Sequence, residues 1–175
     1  LKVYLIRHSE PDYSQVRAAG YAGFGVDLAG LTPHDVQISQ ECAKNAIFRE
    51  VQVLVSSPYT RALQTAAEIV RRNNIPLHVE LGLHEWRPDK TGICQHTRAD
   101  ADAAFKEYHD HHGLHASDDH WDYETSTEVK DRMSAALAKY SRYDCIACVT
   151  HGEAMRQFGD WQRIDYCAIK EIEFF

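Results

Sequence analysis

Residues 1–11 read LKVYLIRHSEP. Val3 to Ile6 is a β-branched and apolar run of the kind that forms a strand covered on both faces. The run stops at Arg7 and His8, with Ser9 and Glu10 behind them. Neither a cation nor an imidazole is a natural core residue, because buried charge without a partner is costly. A strand that enters the core and ends on this pair is placing chemistry at its carboxyl end.

The pattern around that strand repeats. VQVLVSS (51–57), PLHVEL (76–81) and YDCIACVTH (143–151) read as further strands, and AIKEIEFF (168–175) as a less buried closing strand. Between them, PHDVQISQECAKNAIF (33–48), DADAAFKEYHDHH (100–112) and GEAMRQFGDW (152–161) have helical spacing. PYTRALQTAAEIVRRNN (58–74) is a stronger helix, with Pro58 at its expected first position and Ala62, Leu63, Ala66, Ile69 and Val70 as its apolar stripe. TSTEVKDRMSAALAKY (125–140) opens on a capping-box pattern, Thr125 to Glu128. Residues 11–32 read as one long loop. Strand–helix alternation predicts an α/β fold, a three-layer α/β/α sandwich on a mostly parallel sheet. The chain reads as a single domain over 1–175, with a polar, irregular cap insertion at about 86–123.

Composition sets the class. The chain has 175 residues, 44% hydrophobic and 26% charged, as in a globular domain of ordinary size. No apolar run approaches the roughly 20 residues that span a bilayer, and the first strand begins at once, so neither membrane association nor a secretory leader is expected and the default compartment is cytoplasmic. A net charge of −7 argues against nucleic-acid binding. Five cysteines without regular spacing do not make a disulfide framework. Oligomeric state is left open.

In open α/β sheets, ligands sit beyond the carboxyl ends of the strands. Three junctions there supply Arg7 and His8, then Arg61 in the first turn after SSPYTR, then His151 and Gly152 after Thr150. Two guanidiniums present planar donor forks suited to phosphate. A neutral histidine can take a phosphoryl group covalently, and a second can stabilise the charge that develops. An acid is still needed for the leaving oxygen, and Glu85 in LGLHEW is the best-placed carboxyl. Arg7 would then hold the phosphate that His8 attacks.

Four stretches in order, LIRHSE, SSPYTRALQTA, LHEW and VTHGEAMR, resemble the histidine phosphatase superfamily, also called the phosphoglycerate mutase-like family, in its small phosphatase branch. The resemblance implies a phosphohistidine on His8, a phosphate pocket of Arg7, Arg61 and His151, Glu85 as proton donor, and no cofactor or metal. Ser9, Arg17 and Gly152 are added as substrate-contacting residues. Two departures stand out. Ser9 replaces the family's usual Gly, which implies either a shifted loop, if φ is positive there, or an extra donor to the phosphate. LTPHDVQIS (31–39) lacks a Gly and a Gln of the family pattern.

Blander readings exist for each residue. Arg7 and His8 could pair with Glu10 or Asp12 at the surface, Arg61 could be an exposed helix arginine, His151 a structural histidine and Glu85 a solvated carboxylate. HDHHGLHASDDH (109–120) matches no familiar zinc spacing and reads as a solvated loop. Cys145 and Cys148, three apart on a strand, should face opposite sides of the sheet as buried apolar groups rather than form a redox pair. The expected activity is hydrolysis of a small phosphorylated metabolite. A mutase is the first alternative, disfavoured because Trp86 rather than Arg follows Glu85 and the cap is short. A non-catalytic phospholigand-binding or interaction module is the second.

Overall fold

Strand β1 (Lys2–Arg7) lies inside a five-stranded sheet. The other strands are β4 (Val53–Ser56), β5 (Leu77–Val79), β6 (Cys145–Thr150) and β7 (Ile169–Glu173), in the order β5-β4-β6-β1-β7. Two short strands, β2 (Pro11–Asp12) and β3 (Gly30–Leu31), form a separate antiparallel ladder. This computed structural model describes residues 1–91 and 97–175. Cys94 of the cysteine count and residues 92–96 of the cap insertion lie outside the described residues.

β1 runs parallel to β6, which runs parallel to β4, which runs parallel to β5, and only β7 is antiparallel. The alternating pleat splits the core in two. Val3, Leu5, Val53, Val55, Ile146 and Cys148 face one cluster, and Tyr4, Ile6, Leu54, Cys145, Ala147 and Val149 face the other. α4 (Arg98–Asp110), α5 (Ser126–Ala138) and α6 (Gly152–Arg156) cover the first face through Ala104, Val129, Met133 and Met155. α3 (Thr60–Asn73) covers the second through Ala62, Ala66 and Ile69, with α2 (Pro33–Cys42) packed on it. The expected three-layer sandwich is the observed one, and Cys145 and Cys148 occupy opposite faces.

Local chemistry sets the helix limits. The Thr125–Glu128 capping box forms as read, and a second one, Thr97 with Asp100, starts α4 two residues earlier than the sequence reading. α3 begins at Thr60, so Pro58 lies outside it. The Ser57 hydroxyl takes the Tyr59 N–H (3.3 Å), and Tyr59 stays extended. α6 is half its expected length. Its chain turns at Gly159, where a Cβ would lie 2.6 Å from the Trp161 ring, and Arg156 donates to the Trp161 and Gln162 carbonyls. The loop at 11–32 carries a short helix, α1 (Ser14–Ala18), and a 3₁₀ segment at Gly23–Leu28.

Most of residues 109–120 are exposed, as the solvated-loop reading expects, but the Asp119 side chain is drawn inward. Asp119 is only 6% exposed in its side chain and draws in His111 (2.6 Å), His115 (2.9 Å) and the Tyr123 hydroxyl (2.9 Å). The imidazoles and the tyrosine hydroxyl satisfy this one carboxylate inside an otherwise solvated segment.

The 3₁₀ turn Leu81–Leu83 packs so closely on α5 that a Cβ on Gly82 would stand 2.7 Å from the Arg132 carbonyl. Gly82→Ala is therefore expected to cost about 1–3 kcal/mol of stability, read as a lower denaturant midpoint at unchanged slope. An unchanged midpoint would show that the turn and α5 separate freely.

Candidate active site

The parallel register brings three strand ends to one edge: Arg7 pairs with Thr150, and Ser56 with Val149. Arg7, His8, Ser57 and His151 follow from that, and Arg61 arrives on the first turn of α3. His8 and His151 are 4% and 0% exposed, and their rings meet edge to face at 4.9 Å. Arg61 is buried and directs Nε to Nε2 of His8 at 3.2 Å.

The tautomers follow from the hydrogen bonds. Nδ1–H of His8 donates to its neighbour's carbonyl, Ser9 O, at 2.6 Å, which puts the lone pair on Nε2. Nε2 of His151 lies 2.7 Å from the Ser57 hydroxyl. That hydroxyl accepts from Tyr59 N, and its own hydrogen has no other acceptor among the described residues, which assigns it to Nε2 and the ring hydrogen of His151 to Nδ1. Nδ1 of His151 and Nε of Arg7 are buried and have no hydrogen-bond partner among the described residues. Unmet buried donors cost free energy that a bound anion would recover. Arg7 itself is held by the Ile164 carbonyl (2.5 Å) and stacks over Tyr166 at 4.1 Å.

Burial, then Arg61 and Arg7, push the His8 imidazole down to about 3. Burial, helped by His8 and Arg61, holds His151 well below the usual histidine range. Burial with Arg132 nearby lowers His84 to about 4. All three are neutral imidazoles at pH 7.

A cavity of about 840 Å³ opens at this edge, and Arg7, Arg17, Glu85 and Gly152 line it. Tyr59 also lines it and packs its ring against Arg61 (5.0 Å) and His151 (5.1 Å). Backbone N–H groups of Trp86 (2.8 Å), Ala154 (3.0 Å) and Glu153 (3.2 Å) fix the Glu85 carboxylate. Gly152 starts α6 beside Arg7, where a Cβ would stand in ordinary contact with Arg7 Nε at 3.4 Å. Arg17 is exposed and lies over the Tyr13 ring.

Ser9 is the residue that sequence reasoning misplaced. It is fully buried, its hydroxyl donates to the Asp35 carbonyl (2.9 Å) and its N–H to the Thr65 hydroxyl (3.0 Å), so neither donor remains for a substrate. Nor is its backbone strained, because the positive-φ non-glycine residues are Asn74, His112 and Cys167. Sequence reasoning also missed four contributors. Ser57 was inside a quoted motif, but its partner lies 94 residues away. Asp27, in the 3₁₀ segment, holds Arg61 Nη1 at 3.0 Å. Arg132 reaches from α5 to the carbonyls of Gly82, His84 and Glu85. Glu153, one residue past Gly152, lines the cavity, and burial with Glu85 beside it pushes its carboxyl up to about 7. Among the described residues, the group able to hold a metal is His111, Asp118 and Asp119, whose ligand atoms lie within 4.8 Å of one another, and none of them lines the cavity.

These shifts fix how stability depends on pH. Unfolding returns three histidines to about 6.5, so between there and about 4 the unfolded chain binds more protons, and acid destabilises the fold. Glu153 acts oppositely between about 4.5 and 7, but it is one group against three. The denaturant midpoint should therefore fall steadily from pH 7 to pH 4.5. His84→Asn, which keeps a donor for the Glu85 carbonyl, should flatten that fall, and a midpoint indifferent to pH would contradict neutral buried imidazoles.

The profile of the histidine phosphatase superfamily (branch 1) matches residues 3–172. No curated protein matches the sequence significantly. Among solved structures, YhfR of Bacillus stearothermophilus is similar over 98% of this chain and 90% of its own, at 22% identity and TM-score 0.70. Mycobacterial glucosyl-3-phosphoglycerate phosphatase Rv2419c matches over 89% and 76%, at 20% identity and TM-score 0.64. The phosphoserine phosphatase of Entamoeba histolytica matches over 89% and 76%, at 22% identity and TM-score 0.58. These likenesses share the sandwich fold. With the profile spanning nearly the whole sequence, the chain belongs to branch 1 of the histidine phosphatase superfamily.

Proposed function

We propose that the protein hydrolyses phosphomonoesters of small metabolites through a phosphohistidine on His8. The observation that carries this reading is the His8 tautomer: Nδ1–H is committed to the Ser9 carbonyl, and the Nε2 lone pair faces Arg61 beside His151. Nε2 attacks phosphorus in line, the bond to the leaving oxygen breaks, and that oxygen takes a proton. Arg7, Arg61 and His151 offer preorganised donors to the phosphoryl oxygens as charge shifts onto them. Water then attacks phosphorus, gives its proton to the site and releases inorganic phosphate with His8 restored. Nothing in this sequence of steps calls on a cofactor.

Glu85 supplies the leaving-group proton, and it is paired with Glu153, whose own carboxyl is pushed up to about 7 by burial and then by Glu85. The same pair accepts the proton of the attacking water. Hydrolysis rather than transfer is supported by Trp86, whose ring is packed in the core where a mutase would place a cation. Relatives of similar fold named for glucosyl-3-phosphoglycerate, phosphoserine and α-ribazole support a small phosphorylated substrate. No helix among the described residues is long and apolar enough to cross a membrane, and the acidic chain does not suit nucleic acid, which favours a cytoplasmic enzyme acting on metabolites.

Arg7→Ala and Arg61→Ala should each lower kcat/KM by at least about 10²–10³-fold, the usual cost of removing a preorganised donor. Retention of near-wild-type activity in either would place that guanidinium outside the phosphate pocket. The acid is tested by leaving group. Glu85→Gln should slow hydrolysis of an alkyl phosphate far more than of p-nitrophenyl phosphate, whose nitrophenolate needs no proton. Activity on the alkyl substrate should decline as pH rises through about 7, and Glu153→Gln should shift that inflection. Equal losses on both substrates would remove Glu85 from the acid role.

A further inference from the structure

The cavity is much larger than a phosphate and a short alcohol require. At about 840 Å³ it sits in the upper part of the range of pockets that enclose whole organic ligands. Six aromatic residues line it: Tyr13, Tyr21, Phe24, Tyr59, Trp86 and Phe105. Two separate parts of the chain supply them, the segment between β2 and α3 and the cap.

Three of these rings are out of place on a surface. Tyr21, Phe24 and Phe105 are 52%, 42% and 41% exposed, although the chain buries Tyr4, Phe48, Tyr108 and Tyr123 nearly completely. Phe105 is fixed rather than loose, because it meets Trp86 edge to face at 5.5 Å and His109 at 4.2 Å. Apolar surface gathered round one cavity marks a site for an apolar or flat ligand. Arg17 over Tyr13 extends the flat surface, since a guanidinium plane stacks as a ring does.

The charges argue in the same direction. Arg87, Arg98 and Arg156 also line the cavity, but each already has a carboxylate: Glu124 at 3.6 Å, Asp102 at 3.3 Å and Glu153 at 3.4 Å. A second anionic group on the substrate would have to compete with these carboxylates or draw Arg17 off the Tyr13 ring. A neutral ring meets no such competition.

We infer that this cavity receives the alcohol half of the substrate, and that this alcohol carries a flat, uncharged ring, aromatic or heteroaromatic. The inference rests on the phosphatase reading above and adds the class of leaving group. Short acids such as phosphoserine and 3-phosphoglycerate fit it poorly, because they lack a ring and carry a second charge.

The test compares primary alkyl phosphates of matched chemistry on the full chain. Adenosine 5′-phosphate and benzyl phosphate carry a ring, whereas glycerol 1-phosphate does not, and all three release a primary alcohol. Differences in kcat/KM then report binding of the ring. Either ring-bearing substrate should exceed glycerol 1-phosphate and phosphoserine by about tenfold or more, in line with stacking on aromatic side chains. Preference for the nucleotide over benzyl phosphate would assign a heteroaromatic ring, and the reverse a plain one. Phe24→Ala and Phe105→Ala should each cut the ratio of ring-bearing to glycerol kcat/KM about tenfold. Because Phe105 touches Trp86, Phe24→Ala decides the matter if Phe105→Ala does not fold. Glycerol 1-phosphate or phosphoserine turned over as well as the ring-bearing substrates would overturn the inference while leaving the phosphatase reading intact. No hydrolysis of any of them, nor of p-nitrophenyl phosphate, would overturn the phosphatase reading itself.

Discussion

One hydrogen bond organises the candidate site. The Nδ1–H of His8 is given to the Ser9 carbonyl, and the Nε2 lone pair is thereby left toward Arg61. Two guanidiniums so close would repel an imidazolium, and burial penalises it further, so the ring stays neutral far below neutral pH. The Ser9 carbonyl can play this part only because Ser9 is itself immobilised. Its N–H is on Thr65, whose hydroxyl is tied to the Arg61 carbonyl, and its hydroxyl is on the Asp35 carbonyl. His8 and Arg61 are therefore referenced to the same turn of α3.

The carboxyl side of the site depends on a second buried device. Arg132 uses all five of its N–H groups: two on Glu124 and one each on the carbonyls of Gly82, His84 and Glu85. Glu124 is 3% exposed, and removing one partner of such a pair strands the other charge. This clamp fixes the backbone that presents Glu85, while the start of α6 fixes its side chain. Glu85 is thus held at its backbone from α5 and at its carboxylate from α6.

Much of this was legible because strand ends and helix starts are local events. Val3–Ile6 and Cys145–Thr150 announce buried strands, and the residues directly after them must lie at the sheet edge whatever the strand order. The Thr125–Glu128 box is equally local. What was missed depends on distance or on side-chain competition. Ser9 reads as a phosphate donor until Thr65 and the Asp35 carbonyl, 56 and 26 residues away, claim its two groups. Asp27 and Arg132 carry no local signal, since their partners are 34 and about 50 residues off. Asp119 looked solvated because a sequence does not show that two imidazoles and a tyrosine close over it. α6 ended early because a tryptophan ring occupies the space beside Gly159.

The central claim is that His8 carries the phosphoryl group on Nε2. Phosphorus–nitrogen correlation spectroscopy on the phosphoenzyme, with histidine ring nitrogens labelled and turnover slowed by Glu85→Gln on p-nitrophenyl phosphate, observes that bond directly. The account predicts one phosphorus signal correlated to Nε2 of His8, with Nδ1 still protonated and bonded to the Ser9 carbonyl. Phosphorylation on Nδ1, on a serine hydroxyl, or hydrolysis with no covalent phosphoenzyme at all would contradict it.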